Sequence, residues 1–289
     1  MKTLIPLFVT TLLLFLTSAV RGNIYEGFDM TEQDSVLLAS SDATRIGNTS
    51  NGWASTWQVT TGKPLIQATD IEIKGFDSVR GSLEVRGERK PNSIGKGLAM
   101  RQIIESYKGD VYGSFRFSAN ALKTESSIGL LLSLPSQNPL TPRSATFAFC
   151  PKQWGSEYGM IAAGKDRVTK SEAGAPCLPN STYLVIWQIE NLPVAGKRKS
   201  IILNMWVLDD DQATHFANND FSESALRLAE LGSEPEQVGQ YIRREIKNSG
   251  RGLFGGMIVS CFSAGMPTVT FDEIRISQDS LADAVGLSR

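Results

Sequence analysis

One histidine, three cysteines and a scatter of carboxylates set the chemistry open to this chain. His215 follows the acidic run Asp209-Asp210-Asp211. A Ser-His-Asp triad would have to use it, but no Gly-x-Ser-x-Gly elbow is present, and His215 reads as a solvated loop residue. A zinc site of the usual ligand types is not expected from one His and no cysteine cluster. Asp70 and Glu72 alternate in Asp70-Ile71-Glu72-Ile73 and would share a strand face. An exposed strand explains them, and no catalytic residues are assigned. Sugar binding needs aromatic faces for CH groups and polar rims for hydroxyls. Of the five tryptophans, Trp187 aligns with Tyr183, Val185 and Ile189 as core, and Trp53 and Trp57 share a structural face. Trp206 shares its face with Ile202, Asn204 and Leu208, and Asn204 marks that face as partly polar. Trp154 lies in a loop beside Glu157 and Tyr158. Core packing is the commoner fate of a tryptophan, but Trp154, Tyr158 and Trp206 are the candidates for carbohydrate contact.

The N-terminus sets the compartment in which such chemistry would occur. Lys2 precedes an apolar run over residues 4–16, and Thr17-Ser18-Ala19 and Val20-Arg21-Gly22 offer small residues for cleavage. This is the pattern of a secretory signal peptide over residues 1–22. The mature chain, 23–289, is expected to be secreted or extracytoplasmic, with no membrane span once the signal is removed. In an oxidising compartment Cys150 and Cys177, which bracket a loop-rich segment, are the expected disulfide. Cys261 sits in an apolar run and reads as a buried thiol. Asn48-Thr49-Ser50 and Asn180-Ser181-Thr182 match the N-glycosylation pattern. A net charge of -1 with 20% charged residues argues against a nucleic-acid partner.

The elements that position these residues are mostly short strands. The segment Val111-Tyr112-Gly113-Ser114-Phe115-Arg116-Phe117 alternates with Phe115 and Phe117 inward. Residues 128–134 and 145–150 are apolar runs of strand length, and 183–189 and 201–208 are the longest β patterns. Regular turn residues and the lack of alternating helices indicate a sandwich. One stretch, 221–248, reads as helical. Ser233-Glu234-Pro235-Glu236 has capping-box spacing, and Val238, Tyr241, Ile242 and Ile246 fall on one helical face. In Thr268–Ser277, Val269 and Phe271 alternate, as do Ile274 and Ile276, but the pairs are out of phase at Asp272-Glu273. A period of two that slips by one is the signature of a β-bulge.

Four motifs carry a resemblance. Glu26-Gly27-Phe28-Asp29, Gly52-Trp53-Ala54-Ser55-Thr56-Trp57, Tyr112-Gly113-Ser114-Phe115-Arg116-Phe117 and Phe271-Asp272-Glu273-Ile274-Arg275-Ile276, with the trailing Ser280-Leu281-Ala282-Asp283-Ala284-Val285, resemble secreted bacterial proteins with a concanavalin A-like lectin/glucanase (laminin-G-like) domain. The resemblance implies an all-β, two-sheet antiparallel jelly roll with adjacent first and last strands; 221–248 would be a helical insertion. It also offers a place for a structural calcium ion where those strands meet, with Asp29 (or Glu26) and Asp272 as ligands; the alternative reading is that Asp272 only hydrogen-bonds the bulge backbone. The run Asp209-Asp210-Asp211 is a second, weaker place for calcium. Glucanases of this fold carry Glu-x-Asp-x-x-Glu on one strand; Asp70-Ile71-Glu72-Ile73-Lys74-Gly75 lacks the third acid. The leading expectation is a non-catalytic module for an extracellular glycan. A glycoside hydrolase or lyase and a structural or adhesive surface protein are the alternatives.

Overall fold

The computed structural model describes residues 24–28, 36–37, 53–55, 57–62, 65–67, 69–78, 81–87, 95–103, 106–122, 126–136, 145–152, 158–162, 169–171, 177–218, 240–250, 252–253, 256–265 and 268–286. Among these, the strands form two antiparallel sheets. The larger runs β14 (Gln240–Ser249), β13 (Lys199–Asp209), β12 (Thr182–Leu192), β7 (Gly109–Ala119), β16 (Thr268–Ser277), β5 (Ser82–Arg86), β4 (Leu65–Gln67) and β2 (Val36–Leu37), with β1 (Ile24–Glu26) also paired to β16. The smaller runs β11 (Thr169–Ser171), β10 (Tyr158–Ala162), β9 (Phe147–Lys152), β8 (Ser127–Ser133), β15 (Met257–Ala264), β6 (Lys96–Ile103) and β3 (Gln58–Thr61). The expected all-β sandwich is therefore present.

Alternation builds the core between the sheets. Val111, Phe115 and Phe117 of β7 face inward with Val185, Trp187 and Ile189 of β12 and with Phe147 and Phe149 of β9. Phe149 and Trp187 stack across the sandwich with ring centroids 4.8 Å apart. Gly113 makes room for that indole: a Cβ there would come 2.1 Å from Trp187 Cζ2. Trp53 and Trp57 are buried as expected and donate their indole N–H groups to the Tyr25 carbonyl and the Glu26 carboxylate.

The phase slip in β16 is a bulge, with the register against β7 shifting between Asp272 and Arg275. Glu273 adopts φ 50° there, a left-handed conformation that L-residues with a Cβ rarely hold. The slip turns both Val269 and Phe271, before it, and Ile274 and Ile276, after it, into the core. β1 pairs with the same strand, Ile24 opposite Ile276, so the first and last strands among the described residues are neighbours.

Two local readings are corrected. Residues 240–249 form a strand, not the end of a helical insertion; 219–239 lie outside the described residues. Ile242 and Ile246 are four residues apart, a spacing that suits a helical face and a strand face equally. Pairing with β13 decides for the strand, with both isoleucines in the core. The stretch Asp210–Asn218, expected as a loop, is helix α1. Asp209 Oδ1 accepts the Gln212 N–H, and Gln212 Oε1 accepts the Asp209 N–H, a reciprocal capping box. Asp210 and Asp211 then favour the positive end of the helix dipole.

Candidate functional site

The outer face of the larger sheet changes character along its strands. On β12 the outward residues are Leu184, Ile186, Gln188 and Glu190, apolar and then polar. The apolar end packs under α1, under Ile73 and Phe76, and under the C-terminal helix α2 (Leu281–Val285), in one cluster with Tyr112, Trp206, Leu208 and Phe216. Where that cover stops, three strands present a small grid. Ile186 lies opposite Trp206, which lies opposite Tyr241; Asn204 lies between Gln188 and Arg243, and Ile202 between Glu190 and Glu245.

Asn204 organises the grid. It is fully buried, at 0% exposure. Its Nδ2 donates to Gln188 Oε1 at 3.0 Å and to Glu190 Oε1 at 2.7 Å, and its Oδ1 accepts the Tyr241 hydroxyl at 2.9 Å. A direct and a diagonal cross-strand neighbour are thus held by one amide. The network leaves Gln188 Nε2 and Glu190 Oε2 unused. Glu190 and Tyr241 are partly exposed, whereas Arg243 and Glu245 are exposed. Tyr241 stacks on Trp206 with centroids 5.1 Å apart. Trp206 itself keeps 1% exposure, and its Nε1 has no hydrogen-bond partner among the described residues. An aromatic ring beside oriented amide and carboxylate groups is the chemistry of a sugar platform.

Of the expected carbohydrate residues, Trp206 is in this site but as the support beneath Tyr241, not as the contact. Trp154 lies outside the described residues, and Tyr158 sits on β10 opposite Ser171. Tyr241 escaped notice because its segment reads as a helix. Gln188 and Glu190 had a signal, the apolar-to-polar switch on one face of β12. Asp70 and Glu72 do not share a strand face: residues 69–73 are irregular, and Asp70 accepts from the Ser78 hydroxyl. His215 is exposed on α1.

The bulge at the seam of first and last strands holds a second polar cluster. Asp272 is buried; its Oδ2 accepts the Ile71 N–H at 2.7 Å and its Oδ1 the Glu273 N–H at 2.8 Å. Burial pushes its carboxyl up to about 8, against the pull of those two donors and of Arg116. Arg116, whose own pKa burial lowers, donates to the carbonyls of Ile71 and Asp77. Glu273 accepts from the Tyr25 hydroxyl and from Arg275, which also lies over the Tyr25 ring. Glu26 takes the Phe28 N–H, the Trp57 indole N–H and Arg101.

This seam does not fit the expected calcium ion, which takes about six to eight oxygen ligands. The Asp272 and Glu26 oxygens are filled by N–H donors, and Arg116 occupies neighbouring carbonyls. Among the described residues no group of three or more His, Cys, Asp or Glu is placed to hold a metal. Asp29 lies outside the described residues. Asp209-Asp210-Asp211 opens a helix and is not a loop of ligands.

The expected disulfide is also absent, for a topological reason. Cys150, Cys177 and Cys261 are buried thiols. Cys150 points to the outer face of the smaller sheet with Leu98, Leu131 and Phe262, whereas Cys177 belongs to the core between the sheets. Cys177 Sγ donates to the Pro151 carbonyl at 3.7 Å. Burial raises the Cys150 and Cys261 thiols well above their ordinary range.

No protein-family model and no curated relative matches the chain. Among solved structures it is similar to the T. cruzi calreticulin globular domain, at 12% identity over 89% of this chain and 88% of that one, TM-score 0.44. It is also similar to the carbohydrate recognition domain of Emp47p, at 11% identity over 87% and 97%, TM-score 0.42. A third is a glycosyl hydrolase family 16 protein from Mycobacterium smegmatis, at 9% identity over 88% and 99%, TM-score 0.43. No helix among the described residues is long and apolar enough to cross a membrane.

Proposed function

We propose that this protein is a secreted, non-catalytic glycan-binding module whose sugar platform is the Tyr241–Asn204–Glu190 face. The single observation that carries this reading is the saturation of Asn204. One buried amide fixes Gln188, Glu190 and Tyr241 at once, which pre-organises polar groups beside a partly exposed ring. Pre-organisation lowers the ordering cost of binding. Secretion follows from the N-terminal pattern of residues 1–22. The test is a glycan array with the purified mature chain, and fractionation of the producing cell. Absence of binding to every glycan, or loss of none of the binding in Tyr241→Ala, overturns the platform.

One observation favours hydrolysis as a second reading. Glu190 and Glu245 flank Ile202 on the same face, two strand spacings or roughly 10 Å apart at the backbone. Glycosidase carboxyl pairs are about 5–9.5 Å apart. Released reducing sugar from a bound glycan, lost in Glu190→Gln, would decide for that reading.

A further inference from the structure

The charges around this face are unevenly spread, and their placement bears on the class of glycan. We infer that the platform takes an acidic glycan, with a carboxylate or sulfate group of the chain held at the basic turn between β12 and β13; the inference rests on the glycan-binding reading. Lys197, Arg198 and Lys199 follow one another at that turn and are all exposed. The Lys197 N–H donates to the Val194 carbonyl at 3.0 Å, and Gly196 takes φ 77°. A closed turn thus sets the three at the end of the two strands that carry Glu190 and Asn204. No Asp or Glu occurs over residues 191–208. β14 adds Arg243 and Lys247, both exposed. Arg198 links the two groups: its Cγ lies 3.6 Å from where a Cβ on Gly250, just past β14, would sit.

These cations are open to a ligand. Among the described residues none of them is in an ion pair. They outnumber the carboxylates near them, Asp110, Glu190 and Glu245, in a chain whose overall charge is -1. The carboxylates are also set apart. Asp110, on β7, is across β12 from β13 and β14 and accepts the Asn191 N–H. Glu245 lies between Arg243 and Lys247 along β14, and Glu190 is tethered to Asn204 on the floor. Lys199 stands three residues before Ile202, the partner of Glu190, roughly 10 Å along the strand. Glu190 and the turn therefore meet different sugar units of one chain. Hydroxyls of one unit donate to Glu190 Oε2, whereas an acidic substituent, repelled there, is met by the turn. Ammonium and guanidinium groups give such an anion charge-assisted hydrogen bonds, about twice as strong as neutral ones. Exposed charges are screened over about 8–10 Å at ordinary salt, so the attraction is local to the turn and weakens as salt is added.

Titration calorimetry at low and at high salt tests this with three probe sets: neutral galacto-oligosaccharides, oligogalacturonates and sulfated galactan oligomers. At low salt an acidic oligomer, carboxylated or sulfated, is expected to bind at least about tenfold tighter than the neutral one, with the gap narrowing at high salt. The tighter of the two acidic sets names the substituent. The triple variant Lys197→Gln, Arg198→Gln, Lys199→Gln, whose melting profile reports folding, is expected to bring the ratio to within a few-fold. Acidic oligomers binding no tighter than neutral ones overturns the inference and leaves the glycan platform standing, as does a ratio that the triple variant does not change. Vesicles of phosphatidylglycerol in phosphatidylcholine present an anionic surface without sugar. If they bind through the turn while no acidic oligomer is preferred, the turn docks lipid and the inference is overturned. Binding of no oligomer, neutral or acidic, overturns both the inference and the glycan reading.

Discussion

Tyr241 lies on Trp206 across neighbouring strands, ring centroids 5.1 Å apart and planes 27° from parallel. The two rings have different environments. Trp206 is closed off under α1 and the Phe76 segment, whereas Tyr241 keeps part of its surface in water. In the proposed platform the pair would divide its labour: the indole fixes the height and tilt of the phenol, and the phenol would meet the ligand. Removing each ring should have opposite signatures. Trp206→Ala empties a packed core site and is expected to cost about 3–5 kcal/mol of stability. Tyr241→Ala loses an aromatic pair worth about 0.5–1.5 kcal/mol beyond its area but is expected to weaken glycan binding at least tenfold. Denaturant unfolding and calorimetric titration of both variants check this. Equal stability losses would show that Tyr241 is merely core.

Asn204 is expected to act through its neighbours. Tyr241→Phe removes the hydroxyl bonded to Asn204 Oδ1 while keeping the stack. Asn204→Ala removes the whole tether and leaves buried polar groups unsatisfied, at about 1–3 kcal/mol. Because both changes break one network, their effects should not add. A double-mutant cycle is expected to give a coupling of about 0.5–3 kcal/mol. An additive cycle would mean that Asn204 and Tyr241 are independent and that the platform is not pre-organised.

The cysteines offer a chemical check on topology. Cys150 and Cys177 lie on opposite faces of the smaller sheet, so the native protein should contain thiols only. Alkylation under native conditions is expected to modify none of the three quickly, because all are buried. Alkylation after unfolding without reductant should modify all three. A mass two units lower than that of the fully reduced chain would reveal a disulfide and contradict the packing.

How much of this was legible follows from which interactions decide each element. The seam was readable because a bulge leaves a local mark, the phase slip at Asp272-Glu273, and because Val269, Phe271, Ile274 and Ile276 all need the core. The face of Trp206 was readable for the same reason, through strict alternation with Ile202, Asn204 and Leu208. Tyr241 was not: Ile242 and Ile246 satisfy both periods, and only pairing to β13, a long-range choice, selects the strand. The α1 capping box was written in Asp209 and Gln212 but masked by the look of an acidic loop. The occupancy of Asp272 by Ile71, 201 residues away, has no local signature at all.

That occupancy makes Asp272 the group whose titration should be felt in stability. Burial raises its carboxyl from the ordinary 3.8 to about 8 in the folded state, while the unfolded value stays near that of an ordinary aspartate. Between those two values the folded chain binds more protons than the unfolded one. The derivative of unfolding free energy with pH is then negative. The Asp272 contribution is thus most favourable near or below pH 4, is lost as pH rises toward 8, and is flat beyond. Asp272→Asn cannot titrate. Although it loses stability at every pH, because one of the N–H groups of Ile71 and Glu273 would face an amide N–H, its melting temperature should fall less between pH 5 and pH 8 than that of the wild type. Calorimetric scans of both proteins across that range measure the difference. Parallel curves would show that Asp272 is already ionised at pH 5, with the two backbone donors and Arg116 outweighing the cost of burial.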